Sequence, residues 1–122
     1  MNPDATVAAL HALAHQHRLA AFRALVRAGP GGLPVGHLRK RLEIPPATLS
    51  AHLNVLRAAG LVGDEREGRV IRVRADFERM YALIEFLTEN CCEGASCTPA
   101  TPAAASAGRP SPSRPSPTGP VP

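Results

Sequence analysis

The chain has no tryptophan, one tyrosine and three phenylalanines in 122 residues. No apolar run is long enough to cross a bilayer, which excludes a membrane-spanning helix. The opening MNPDATVAAL lacks the basic start and small-residue cleavage pattern of a secretory signal, so a cytoplasmic protein with no membrane partner is expected. No nucleophilic triad, phosphate-cradling glycine loop or pair of acid–base carboxylates is legible, and no Cys-x-x-Cys sits in a βαβ setting. An enzyme, a thiol oxidoreductase included, is therefore not expected, nor is a catalytic cofactor.

There are three cysteines, and they lie together at Cys91, Cys92 and Cys97. An odd number suits no disulfide framework, and cytosolic thiols stay reduced, which favours metal or redox chemistry. Eight of the thirteen prolines fall in residues 98–122, with Ser, Thr, Ala and Gly. Such a segment buries too little to offset its ordering entropy, so a disordered tail is expected there. Its repeats Arg109-Pro110-Ser111-Pro112 and Arg114-Pro115-Ser116-Pro117 read as solvated chain before polyproline ligands. The folded domain is then residues 1–97, small enough for its core to gain from dimerisation.

Charge is unevenly spread. Residues 1–75 carry eleven Arg/Lys against five acids; residues 76–97 carry one Arg, Arg79, against five acids. A basic front suits a polyanion such as double-stranded DNA.

Asn2-Pro3-Asp4 supplies a cap, a first-turn proline and an acid for a first helix. Val7, Leu10 and Leu13 recur along it at helical spacing. A second helix runs through Leu19, Phe22, Leu25 and Val26 to Gly29-Pro30. Pro34 opens a third, with Val35, Leu38 and Leu42 on one face and Arg39, Lys40 and Arg41 beside it. Pro45-Pro46 ends it and starts a fourth helix to about Ala59, with Leu49, Leu53 and Leu56 inward. The pair resembles a helix-turn-helix. The period then changes to two. A strand from Leu61-Val62, a turn at Glu67-Gly68 and the alternating Val70–Arg74 predict a basic hairpin of the kind that forms a DNA-binding wing. Asp76 caps a fifth helix whose stripe Phe77, Met80, Tyr81, Ile84, Leu87 and Cys91 runs to Gly94. His11 and His15 stand one turn apart and read as an ordinary helix face. The expected fold is mainly α with a small β-hairpin (α+β), in the order α-α-α-α-β-β-α. The first and fifth helices, through Val7, Leu10, Leu13, Met80, Ile84 and Leu87, are expected to form a homodimer.

His17-Arg18-Leu19, the run Thr48-Leu49-Ser50-Ala51-His52-Leu53-Asn54-Val55-Leu56-Arg57-Ala58-Ala59-Gly60-Leu61-Val62 and the turn Gly68-Arg69 resemble the ArsR/SmtB family of winged-helix repressors. The resemblance covers about residues 4–93. It implies a homodimeric, metal- or metalloid-responsive repressor that leaves its operator when inducer binds. The third-helix Cys-x-Cys of many members is absent at Pro34–His37, and the fifth helix has Asp76 but none of the histidines of zinc-sensing members. The cysteine arrangement is similar to that of an arsenite-responsive subgroup with C-terminal cysteines.

In helix-turn-helix proteins the N-terminal residues of the second helix reach base edges. Here those are Pro46, Ala47, Thr48, Ser50 and Ala51, then His52 and Asn54; the resemblance favours Thr48, Ser50 and His52. Arg39, Lys40, Arg41, Arg66, Arg69 and Arg72 are expected on phosphates. A dimer should read an inverted-repeat operator. Thiolates choose soft ions, and three sulfurs without a fourth ligand suit pyramidal As(III) or Sb(III). In an intact helix Cys91 and Cys92 would point roughly 100° apart, so sharing an ion between them and Cys97 is expected to require the last turn to unwind or the chain beyond Gly94 to fold back. Transcriptional repression of an arsenic-resistance operon is the expected function. A repressor for trivalent organoarsenicals, needing two thiols, and a sensor of another thiophilic metal are the alternatives.

Overall fold

A computed structural model describes residues 1–94. They fall into two units, Met1–Leu87 and the segment beginning at Thr88. The 98–122 tail and Cys97 lie outside the described residues.

The elements run α1 (Pro3–Leu13), α2 (Gln16–Ala28), β1 (Leu33–Pro34), α3 (Val35–Leu42), α4 (Pro46–Ala58), β2 (Val62–Glu67), β3 (Val70–Ala75) and α5 (Phe77–Thr88), then a 3₁₀ turn at Cys91–Gly94. The five helices and the hairpin are those the sequence predicts, and β1 is an addition. It is two residues long, too short for any periodicity to show. It pairs antiparallel with β3 through Leu33 opposite Val73 and Pro34 opposite Arg72, giving a sheet in the order β1-β3-β2.

The caps explain most boundaries. The Asn2 side chain accepts a bond from the Ala5 amide at 2.7 Å, and the Thr6 hydroxyl donates to the Asn2 carbonyl at 2.9 Å. The Asp76 carboxylate accepts from the Arg79 amide at 3.0 Å at the start of α5. At the end of α4, Gly60 takes the left-handed conformation (φ 76°); its amide donates to the Arg57 carbonyl and the Leu61 amide to the Leu56 carbonyl. This is the two-bond glycine stop that turns a helix sharply into the following strand. The α3–α4 turn uses Glu43 at φ 55°, so α3 ends at Leu42, before the prolines, and Ile44 is buried in the turn.

The core is built from Leu25 of α2, Leu38 of α3, Leu49, Leu53 and Leu56 of α4, and Leu61 and Val73 at the sheet, all fully buried. Helix α2 packs on α1, α3, α4 and β3 and forms the hub. Helix α1 presents Thr6, Ala9 and Ala12 inward. These small residues let the helix lie close, and the larger Val7 and Leu10 face solvent. In α5 the buried residue is Leu83, with Phe77 and Met80 partly covered against the core. The expected α5 stripe is thus split. Tyr81, Ile84 and Leu87 remain 64%, 50% and 57% exposed.

Two further expectations are overturned. Helix α5 stops at Thr88, and Asn90 adopts φ 56°, so Cys91 is not on the helix and Gly94 does not close it. Helix α1 stops at Leu13, so His11 and His15 do not share a helix face.

Gly32 (φ 67°) enters β1 so close to β3 that a Cβ there would overlap the Val73 carbonyl. Replacing a positive-φ glycine with alanine normally costs more than about 1 kcal/mol, and the overlap adds to this. Gly32→Ala is therefore expected to lower the urea midpoint markedly, while Gly36→Ala, at a helical position with open space around it, leaves it nearly unchanged.

Candidate functional site

Helix α4 is held by its leucines, and this decides which residues it offers outward. Pro46, Ala47, Ser50, Ala51 and Asn54 are exposed, and they recur at helical spacing along one face. Thr48 and His52 are half-buried and lie to the side of that face. The seven expected base-reading residues are therefore divided: five on the open face, two on its flank. The Asn54 carboxamide oxygen accepts a 2.8 Å bond from the Arg57 guanidinium.

The basic residues expected on phosphates lie on α3 and on the hairpin, the elements before and after α4 in the chain. Lys40 and Arg41 are exposed at the end of α3, and Arg39 is half-buried. In the hairpin, Val62 opposes Ala75 and Glu67 opposes Val70, leaving Gly68-Arg69 as the two-residue tip, as the family resemblance implies and one position later than the Glu67-Gly68 turn signal. Gly68 takes φ 61°, which such a tight tip requires. Arg66 and Arg69 are exposed and form no ion pair among the described residues. Arg72 is engaged by Glu67 at 3.3 Å, and Arg74 by Glu65 at 3.1 Å. Arg72 must exchange a carboxylate for any phosphate it meets. Arg57 Nε lies 2.9 Å from Asp64 Oδ2, an ion pair between α4 and the hairpin without a well-aligned hydrogen bond.

The sequence gives no hint of the histidine group at the start of α2. His15 caps the helix, its Nδ1 accepting from the His17 amide at 3.1 Å. The His15 ring centre lies 4.5 Å from that of His52 and 5.6 Å from that of His17, and the His17–His52 separation is 5.7 Å. Arg18 turns back and donates to the Ala12 carbonyl at 2.7 Å, closing the end of α1. The His17-Arg18-Leu19 motif thus has a structural job at the α1–α2 corner. Burial, and then the neighbouring His15, Arg18 and His17, hold the His52 pKa below its ordinary 6.5.

In the C-terminal segment, Cys91 and Cys92 are exposed thiols with their sulfurs 3.7 Å apart. Cys92 and Glu93 take left-handed backbone conformations (φ 56° and 52°). The sulfurs are too far apart for a bond of about 2.05 Å. They are close to the ~3.8 Å expected between two thiolates on one tetrahedral metal at about 2.3 Å. No helical turn has to unwind to bring them together, contrary to the sequence-based expectation.

Residues 13–63 match the helix-turn-helix domain family. Over 78 residues the chain is 40% identical to the biofilm growth-associated repressor of Agrobacterium fabrum, covering 64% of each chain, so it spans somewhat under two thirds of that protein. It is 33% identical over 92 residues to the transcriptional activator HlyU of Vibrio cholerae, covering 75% of this chain and 82% of HlyU. The HlyU structure superposes with a TM-score of 0.59 at 32% identity, over 76% of this chain and all of that one. The homodimeric winged helix-turn-helix domain Mb0332 of Mycobacterium bovis, described as a possible ArsR-family regulator, gives 0.57 at 28% identity, over 74% and 83%. The chain belongs to the ArsR family of winged-helix transcription regulators. As in other members of the ArsR family, the fold is that of a DNA-binding regulator and not of an enzyme. In this ArsR chain α3 and α4 are the helix-turn-helix and β2–β3 the wing. No helix is long and apolar enough to cross a membrane among the described residues.

The lowered His52 pKa has a stability consequence. A histidine whose folded pKa lies below its unfolded value contributes no penalty above the unfolded pKa, and destabilises the fold as pH falls below it. Urea midpoints measured between about pH 7.5 and pH 5.5 should fall on acidification, and His52→Gln should flatten that fall.

Proposed function

We propose that this ArsR regulator is a homodimeric repressor of an arsenic-resistance operon, released from its operator when trivalent arsenic or antimony is held by Cys91 and Cys92 together with Cys97. The observation that carries this reading is the exposed Cys91–Cys92 pair, with two sulfurs 3.7 Å apart on a non-helical turn. Adjacent soft donors at this separation suit one thiophilic atom. Arsenous acid forms an As–S bond at each thiol as a hydroxyl leaves with the thiol proton as water, so three thiols release three waters. Neither the acid nor the thiols need be charged for this exchange.

Dimerisation follows from surface. Val7 is 64% exposed and Leu10 43%, and they join Tyr81, Ile84 and Leu87 as large apolar side chains in solvent on α1 and α5. Leu13 and Met80 pack partly into the protomer's own core and contribute less to such a face. The Mycobacterium bovis relative is a homodimer with the same fold. Two α4 helices related by a two-fold axis would read half-sites about 34 Å apart, or a multiple of that spacing, in an inverted repeat.

The pairing of two vicinal thiols also favours a second reading, a repressor for trivalent organoarsenicals that need two sulfurs. Titration of the protein on DNA upstream of its own gene, with arsenite, antimonite, methylarsenite and zinc, separates the readings. Cys91→Ser and Cys92→Ser should each abolish release by arsenite and by methylarsenite. Cys97→Ser should weaken the arsenite response alone if inorganic arsenic is the inducer, and neither response if methylarsenite is. Release that persists in the triple Cys→Ser variant sinks both.

Two other variants probe the same reading. Arg66→Ala and Arg69→Ala should each weaken DNA binding at all sequences and lower the slope of log affinity on log salt by about 1. Ile84→Asp and Leu10→Asp should yield monomers in sedimentation analysis, with operator affinity lost in parallel.

A further inference from the structure

Among the described residues, one group of three metal-ligating side chains stands together in Met1–Leu87: His15, His17 and His52. One ligand nitrogen from each lies within 4.8 Å of the other two. Two come from the cap and first turn of α2, the third from the middle of α4. We propose that these imidazoles form a binding site for a borderline divalent ion of the zinc, nickel or copper class, separate from the cysteines, and that the ion competes with DNA for His52. The second half of this rests on α4 being the DNA-reading helix; the first does not.

The donor set fits this class of ion. Imidazole nitrogen is a ligand for zinc, copper and nickel, and three histidines with one open position are a common zinc arrangement. Metal–nitrogen bonds of about 2.0–2.1 Å place tetrahedral donors about 3.3 Å apart. The present spread closes to that by rotation of His15 and His17, both of which are exposed. His52, half-buried on the flank of the open face, is the fixed partner.

Arg18 and the positive end of α2 lie beside the group and oppose a cation. They also favour an anion in the fourth position.

Filling the site carries a structural signature. His15 Nδ1 accepts the helix-capping bond from the His17 amide. Ligation through Nδ1 uses that lone pair, and ligation through Nε2 places the ring proton on Nδ1. Either way the side-chain cap of α2 is exchanged for the metal bond. The His52 nitrogen that holds the ion can no longer accept from a base edge, and the ion fixes the direction of the remaining ring N–H, so metal and operator draw on the same side chain.

The test uses the full chain with Cys91, Cys92 and Cys97 replaced by serine, which removes the thiols. Zinc and cobalt salts are titrated alone, the cobalt spectrum reporting nitrogen against sulfur ligation, and the zinc titration is repeated with DNA from upstream of the gene. One ion per protomer is expected, with no thiolate signature. His15→Asn, which keeps a capping acceptor, and His17→Gln should each weaken binding by about tenfold or more. Zinc should weaken DNA binding in the Cys-free chain and not in the His15→Asn variant. Absence of zinc binding, or binding that survives both substitutions, overturns the site. Binding with unchanged DNA affinity overturns the competition. The metal arm needs no DNA, so its outcome is independent of the repressor reading.

Discussion

The leucine stripe of α4 is the constraint on which the rest depends. Leu49, Leu53 and Leu56 are fully buried in one core cluster with Leu25 of α2 and Leu38 of α3. Fully burying one such side chain is worth about 1.5–3 kcal/mol, so three of them in thirteen residues leave the helix no freedom to rotate. The outward face follows from that. Pro46, Ala47, Ser50, Ala51 and Asn54 point away from the core because the leucines point into it. The small size of these residues keeps the face low, so the helix can approach a groove closely. The polar atoms that would read bases are few, and exposed basic residues lie on α3 and the hairpin, either side of α4 in the chain.

Packing of α1 shows a different use of size. Ala9 and Ala12 are buried while Val7 and Leu10 are exposed, the reverse of what hydrophobicity alone would assign. A helix lined with small residues packs closely enough for backbone contact, and its larger side chains are then left for another surface. The same division occurs in α5, where Leu83 turns inward and Tyr81, Ile84 and Leu87 outward. Both helices spend one face on the protomer and keep another apolar.

Strong periodicity made much of this legible beforehand. The α4 stripe, the Gly60 stop, the shift to a period of two at Val62 and the Asp76 cap could all be read from residue order, because each is a local effect. The site was less legible. Whether Val7 or Ala9 faces the core depends on what lies opposite, which spacing does not reveal. Strand β1 is two residues whose pairing is set by β3, forty residues away. The end of α5 escaped because its apolar stripe continues in register to Cys91, while the backbone turns left-handed at Asn90. The histidine group joins positions 15, 17 and 52, and nothing in their order brings them together. Only the packing of α2 on α4 does so.

Consider finally how the wing is attached. The Leu61 amide bonds to the Leu56 carbonyl, the Asp76 amide to the Leu61 carbonyl, and Arg57 reaches across to Asp64. The root of the hairpin is thus tied to the end of α4 and the start of α5 by two backbone bonds, with one ion pair beside them, so helix and wing act as a bracket. A bracket transmits displacement without absorbing it. A small rotation applied anywhere along its base sweeps the Arg69 tip through a larger arc, so leverage multiplies a slight shift of the support at the far end.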